Sequence, residues 1–578
     1  MKRILLLSVF VFINFSLAVA QPHSIVGVGK AVDPYHYVSV KSKIYRHAVV
    51  ACAHPLASAV GVEIMKQGGN AFDAAIATQL ALAVVYPQAG NIGGGGFLVG
   101  RTSNRKNFTI DYRETAPSRA FRDMYLDKDG KAQTNLSQYG HLSSGVPGTI
   151  AGLFATLPYA KLSFKVLVQP AIDLAENGFV ITQSEANNLN SVRESFIKNS
   201  SSSNFAFIRK DNQKWKAGDT LIQKNLAETL KRIRDNGLKG FYEGKTAQLI
   251  VDEMEKGNGL ITLDDLKNYH AKLRDALVFT YKDKTIIGMP PPSSGGIIVC
   301  QLMKMMKHKP VAQYGFQTVK SVQLMVEAER RAYADRAEYM GDPDFFKVPL
   351  KILTSDKYIS DRMSDYDSTK PTPSKDIHAG AIKKESEETT HISIIDKDGN
   401  MASITTTLNN SYGGRTVVAG AGFILNDEMD DFSVKPGVDN MYGAVGGEAN
   451  AIEPNKRMLS SMTPTLVIDK NNKPFIVAGT PGGTTIPTSV FQTLMNIIEF
   501  GMSAEDAVNK PKFHHQWLPD EVYVEKKFDR NIVKELQAMG YKIIERSSIG
   551  RTEVIKILPD GKREAAADIR GDDSVAGY

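Results

Sequence analysis

A run of acids that turns into a strand at a threonine constrains this chain more than any other feature. Glu385, Glu387 and Glu388 lead into Thr389, and the pattern Thr-His-Ile-Ser-Ile-Ile follows at once. It runs to Asp398-Gly399, a strong short-range hairpin signal, and a second strand of similar length. A three-residue turn over Lys397-Asp398-Gly399, with Gly399 left-handed, sets Thr389 opposite Thr407, His391 opposite Thr405 and Ser393 opposite Ser403. Ile392 then meets Ile404 and Ile394 meets Ala402, so one face carries hydroxyls and the other is apolar. A two-residue turn brings Leu408 opposite Thr389 and mixes the faces. The longer turn is preferred, and it brings the Thr407 hydroxyl within reach of Thr389.

What Thr389 can do depends on the bond before it. Inside a chain its hydroxyl has no neighbouring base. Cutting between Glu388 and Thr389 gives it a free α-amine, whose ordinary pKa is roughly 7.7–8.0. That amine takes the hydroxyl proton near neutral pH, so one residue supplies both nucleophile and base. A threonine-rich hairpin without chemistry is the competing reading, because threonine favours strands.

At 578 residues and 42% hydrophobic, the chain buries a large core. Lys2 and Arg3, the apolar stretch from Ile4 to Leu17 and Ala18-Val19-Ala20 read as a secretory signal over residues 1–20. An uncleaved anchor is the alternative, against which the shortness of the apolar stretch counts. Loss of Lys2 and Arg3 lowers the formal charge from +7 to +5, and no Lys/Arg block marks a nucleic-acid surface. Two cysteines, Cys52 and Cys300, exclude a disulfide framework and allow at most one bridge. No His/Cys/Asp cluster has metal-ligand spacing, since adjacent His514 and His515 point to opposite faces of a strand.

Asn70 caps a predicted helix from Ala71 to about Tyr86, stopped by Pro87 and apolar nearly all round, which demands a place between layers. Gly93 to Gly96 feed a strand at Phe97-Leu98-Val99, and residues 108–113 form the next. From about 150 to 275 the pattern is largely helical. Residues 317–341 form a long charged helix, 354–388 read as an exposed linker, and the last 190 residues return to strands. Gly240 to Thr246 is one residue short of a P-loop and reads as a surface turn. Neither G-x-S-x-G nor H-E-x-x-H occurs.

Polar motifs crowd the C-terminal part. Asn426 to Phe432 holds four carboxylates, Leu459 to Pro464 holds paired hydroxyls, and Gly479 to Thr484 is a glycine turn whose N–H groups suit an oxyanion. With a self-activating threonine they suit a zwitterionic substrate.

At this point the chain resembles bacterial γ-glutamyltranspeptidase. TTHISIIDKDGN, TLNNSYG, NDEMDDFSVKPG, PNKRMLSSMTPT, TPGG, FHHQWLPDE and DDSVAGY carry the likeness, with GGNAFDAAIA, GNIGGGGF, DYRETAP and SGVPGT upstream. It runs in order from about residue 45 to the end. The resemblance implies an α+β N-terminal nucleophile hydrolase, a four-layer αββα sandwich. One precursor cuts itself into a large subunit (21–388) and a small one (389–578), fused in one domain.

It further implies Thr389 as nucleophile, Thr407 as its hydrogen-bond partner, and Gly482 and Gly483 as the oxyanion hole. Arg113, Ser460 and Ser461 resemble the α-carboxylate site, and a planar guanidinium suits that group. Asn409, Glu428 and Asp431 resemble the α-ammonium site, where the family has Gln or Glu at the position of Glu428. Residues 436–455 resemble a lid with Tyr442 as its gating aromatic, which argues for small substrates. The implied donors are glutathione and other γ-glutamyl compounds, and the acceptors are water, amino acids or dipeptides. No cofactor, metal, nucleic acid or stable membrane insertion is expected, and the location is periplasmic or secreted. A poly-γ-glutamate-processing relative, a β-lactam acylase and an unprocessed binding protein are the rival readings.

Overall fold

The computed structural model describes residues 32–377, 389–435 and 447–578. The signal reading at 1–20, Glu388 and Tyr442 lie outside them. Two antiparallel seven-stranded sheets form the centre of the described residues. Their strands are β1 (Ser42–Tyr45), β2 (Val49–Cys52), β3 (Gly95–Arg101), β4 (Asn107–Asp111), β5 (Lys272–Arg274), β6 (Leu277–Tyr281) and β7 (Lys284–Gly288). They continue as β8 (Thr390–Ile395), β9 (Met401–Thr407), β10 (Thr465–Ile468), β11 (Pro474–Gly479), β12 (Glu553–Ile557), β13 (Arg563–Ala567) and β14 (Ser574–Gly577). One sheet runs β1-β13-β12-β11-β10-β7-β6 and the other β14-β2-β8-β9-β3-β4-β5.

The hairpin β8–β9 has the register that its alternation predicts. Thr390 pairs with Thr406, His391 with Thr405, Ser393 with Ser403 and Ile394 with Ala402, and Gly399 turns at φ 86°. Asp396 fixes the turn by accepting from the N–H groups of Asp398 and Asn400, each at 2.9 Å. Its second oxygen accepts from Ala71 N at 3.0 Å and so ties the turn to the start of a helix.

That helix, α2 (Ala71–Val85), follows α1 (Pro55–Lys66). Asn70 and Asp73 form a capping box, and all of α2 is buried, as its all-round apolarity requires. Ile392, Ile394, Ala402 and Ile404 pack against α1 and α2 in one core. On the far side α3 (Gly295–Met306), α4 (Val319–Tyr339) and α5 (Thr485–Ile498) cover the other sheet. The layers are therefore helix, sheet, sheet, helix.

The hydroxyl face of the hairpin is buried too. His391 bonds to Thr405 (2.9 Å) and Ser393 (3.1 Å), while Ser393 and Ser403 donate to the carbonyls of Glu553 and Ala478, each at 3.0 Å. These bonds stitch the sheets together. Gly479 makes room for the imidazole, because a Cβ there would sit 2.1 Å from the ring.

Two expectations change. Part of the linker is packed: Asp356–Arg362 is helical, and Ile359, Ser374 and Ile377 are buried. Ser374 donates to Trp517 O at 2.5 Å, a partner that no local pattern reveals. The last 190 residues also hold α5, whose Thr485, Ile486 and Pro487 hide its helical start. Cys52 and Cys300 are both free and buried, in different cores.

Candidate active site

The hairpin, the glycine turn and three loops meet at one small pocket with an empty volume of about 350 Å³. Of the residues singled out in the sequence, Arg113, Thr389, Thr407, Asn409, Glu428 and Asp431 line it. So do Ser460, Ser461 and Gly483. A larger groove around Phe205 and Trp215 holds none of them.

Thr389 stands one residue before the first rung of the hairpin and is only 5% exposed. Extending the register sets it opposite Thr407, whose hydroxyl accepts from Asn409 N at 2.8 Å. Asn409 adopts φ 75° and sends its amide to Asp427 O at 3.0 Å, which holds the loop after β9 against the acidic segment.

Gly482 and Gly483 lie between β11 and α5 with φ of 134° and 53°, values that favour glycine. The Gly482 carbonyl accepts from Thr485 N (2.9 Å) and the Gly483 carbonyl from Ile486 N (3.1 Å). Their own N–H groups have no hydrogen-bond partner among the described residues. Two unused donors at the N-terminus of a 14-residue helix suit a developing negative charge. Gly483 lines the pocket, whereas Gly482 is not among its lining residues.

Arg113 is buried at the end of β4 and bonds directly to Glu428 and Asp431. It also donates to Leu459 O at 3.2 Å, and its own carbonyl accepts from Tyr269 (2.6 Å). The proposed carboxylate-binding cation is thus paired with the proposed ammonium-binding acids. Burial pushes the carboxyls of Asp427 and Glu428 well above the usual range, and Arg113 pulls Glu428 partly back. Burial raises Asp431 as well, against the pull of Arg113. Glu114, against Gly95, is pushed up to about 8 by burial, with Arg113 opposing. Two carboxyls, Glu428 and Asp431, and two guanidiniums, Arg113 and Arg336, line the pocket, a balance that suits a group carrying both charges.

Ser460 and Ser461 sit in a turn held by Pro292 and Ser294, which precede α3. Sequence reasoning missed Arg336 of α4, which lines the same pocket. The signal was present, in a helix carrying Glu329, Arg330, Arg331, Asp335 and Arg336, all buried and not a solvated face. Among the described residues no group of His, Cys, Asp or Glu is arranged to hold a metal ion.

Comparison with known proteins finds relatives along nearly the whole chain. The family model for gamma-glutamyltranspeptidase matches residues 57–578. The chain is 45% identical to the glutathione hydrolase proenzyme of Escherichia coli over 98% of this chain and 97% of that one. With the glutathione hydrolase proenzyme of Pseudomonas aeruginosa it shares 42% identity over 90% and 93%. Among solved structures, the cephalosporin acylase of Bacillus halodurans superposes with a TM-score of 0.81 at 25% identity, covering 94% of this chain and 99% of that one. Fold, site and sequence converge: this chain belongs to the gamma-glutamyltranspeptidase family.

Proposed function

We propose that this protein is an exported γ-glutamyl transferase and hydrolase that matures by cutting its own chain between Glu388 and Thr389. One observation carries the reading: Thr389, an orphan glycine N–H and the Arg113–Glu428–Asp431 cluster surround a single pocket. The cut leaves a large subunit of 21–388 and a small one of 389–578, whose strands share both sheets.

The donor's α-amino-acid end replaces the internal ion pairs. Its carboxylate takes Arg113, Ser460 and Ser461, and its ammonium takes Asn409, Glu428 and Asp431. The Thr389 hydroxyl, held by Thr407 and deprotonated by its own α-amine, attacks the γ-amide carbonyl. The N–H groups of Gly482 and Gly483 stabilise the oxyanion. The protonated α-amine then gives its proton to the leaving amine, which from glutathione is cysteinylglycine. A γ-glutamyl ester remains on Thr389. Water converts it to glutamate, and an amino acid or dipeptide converts it to a new γ-glutamyl amide. No step needs a metal or cofactor.

A β-lactam acylase is the second reading, favoured by the fold shared with the cephalosporin acylase. The charged cluster argues for a zwitterion instead: Arg113 and Glu428 are buried and Asp431 half-buried around the space where it would sit. Residues 436–446, with Tyr442, lie outside the described residues, so the case against a polymer-directed relative rests on the same cluster. Export rests on the sequence of residues 1–20, and no helix of the described residues is long and apolar enough to cross a membrane.

The test is N-terminal sequencing of the smaller band on a denaturing gel, followed by chromophore release from L-γ-glutamyl-p-nitroanilide. A sequence starting Thr-Thr-His-Ile-Ser and γ-glutamyl-dependent release are expected. A single uncut band without release supports a binding protein and ends the enzymatic reading.

A further inference from the structure

A second guanidinium stands in the pocket, and its hydrogen bonds have a direction. Arg336 is 5% exposed, lines the pocket and comes from α4 in the large-subunit part of the chain. Its Nε donates to Ser294 Oγ at 3.1 Å and its Nη2 to Ser461 Oγ at 3.0 Å. Ser294 is fully buried and passes its own proton to Ser460 O at 2.8 Å, while its N–H reaches the same carbonyl at 2.7 Å. The Ser460–Ser461 turn therefore hangs on Arg336 twice, directly at one hydroxyl and through Ser294 at the backbone.

A hydroxyl has one proton to give and accepts through its lone pairs. A guanidinium only donates. Because Arg336 occupies a lone pair of Ser461, the Ser461 proton is left to point into the pocket. Ser460 is arranged alike, since its Oγ accepts from Met462 N at 3.2 Å. Both hydroxyls are thus set as donors, the polarity that a carboxylate needs and an ammonium does not.

We propose that Arg336 is a positioning residue that presents Ser460 and Ser461 as proton donors to the α-carboxylate of a γ-glutamyl donor. The inference rests on the reading above, in which that carboxylate lies at Arg113 and the two serines. It adds to Arg113 a second large-subunit cation, one that acts through the small subunit's serines rather than on the carboxylate itself. Burial raises the Asp431 carboxyl, and Arg336 adds to the larger opposing pull of Arg113 on it. A plain structural cation near the end of α4 would favour the helix dipole without any preference among donors.

The test compares L-γ-glutamyl-p-nitroanilide with 4-aminobutyryl-p-nitroanilide, which keeps the amine and lacks the carboxylate. Arg336→Gln, Arg336→Lys, Ser461→Ala and the Arg336→Gln/Ser461→Ala pair are each first checked for two subunit bands. Arg336→Gln is expected to raise KM for the γ-glutamyl donor about 10- to 150-fold, the range for a hydrogen bond to a charged group. The kcat/KM preference for the γ-glutamyl donor over the decarboxylated one should fall by a similar factor. Arg336→Lys keeps the charge but cannot bridge two hydroxyls, and should lie between. On the γ-glutamyl donor alone, the double variant should be little worse than the worse single variant, because both break one path.

An unchanged donor preference, or losses that multiply in the double variant, overturns the proposal. If Arg336→Gln fails to mature, Arg336→Lys carries the same comparison. A wild-type protein that releases no chromophore refutes the enzymatic reading instead, whereas an active enzyme indifferent to Arg336 refutes only this inference.

Discussion

In the proposed reading the single hydroxyl of Thr389 serves two reactions, first on its own chain and then on substrate. Thr389→Ala is expected to leave one uncut, inactive chain on a denaturing gel, and two normal subunits in that variant would move the nucleophile elsewhere. Arg113 poses a different question, because it is already paired with Glu428 and Asp431. Arg113→Ala should mature normally yet lose roughly 10- to 150-fold in kcat/KM for γ-glutamyl donors, as expected for a charge-assisted contact worth about 1.5–3 kcal/mol. Unchanged kinetics would leave Arg113 as a purely structural ion pair. Nine of the residues singled out in short sequence motifs line one pocket, so their convergence was legible. The charged helix carrying Arg336 was visible, but the place of Arg336 at the pocket was not. Its meaning comes from Ser294 and Ser461, 42 and 125 positions away, and no local pattern encodes such pairings.

Among elements, the hairpin β8–β9 was readable to the residue because a period of two and one turn glycine fix its register. What the pattern did not reveal was the partner of its hydroxyl face, since that depends on a strand some 75 residues onward. Gly479 is the tight point of this contact. Gly479→Ala would force a methyl into the His391 ring and should cost about 1–3 kcal/mol, read as a lower denaturant midpoint. An unchanged midpoint would mean that the sheets can part at no cost.

The buried histidines add a pH signature. Burial lowers His391 and His514 to about 3 and His515 to about 4, from an ordinary 6.5. Between those values and 6.5 the unfolded chain binds protons that the native chain refuses. Their contribution is therefore complete above 6.5 and is lost as pH falls toward 3–4. Glu114, raised to about 8, works oppositely, since the native state holds its proton from about 4.5 upward and that advantage fades as pH climbs. The clean measurement is a difference. His391→Asn should flatten stability against pH below 6.5 relative to the parent, by at most about 1.4 kcal/mol per unit. Parallel curves would show that His391 titrates alike folded and unfolded.

At the scale of the whole molecule, both sheets of the described residues mix strands from the two sides of the proposed cut. β8 and β9 lie between β2 and β3, β13 pairs with β1, and β10 pairs with β7. The two pieces should therefore co-elute under native conditions and unfold together in one transition. Separation of a folded large piece from a folded small one would contradict the shared sheets. The linker composition of 354–388 marks the proposed cut in the sequence, but the shared sheets make the two pieces one core, so the cut would divide the chain and not the domain. The interleaving also changes the order of refolding. An uncut chain regains its sheets by a first-order process at any dilution, whereas cut pieces must meet, and their recovery becomes second-order. Dilute mature protein, once unfolded, should stay lost while the Thr389→Ala precursor recovers. Maturation thus exchanges a renewable molecule for one with a finite service life, governed by the rate at which it first opens.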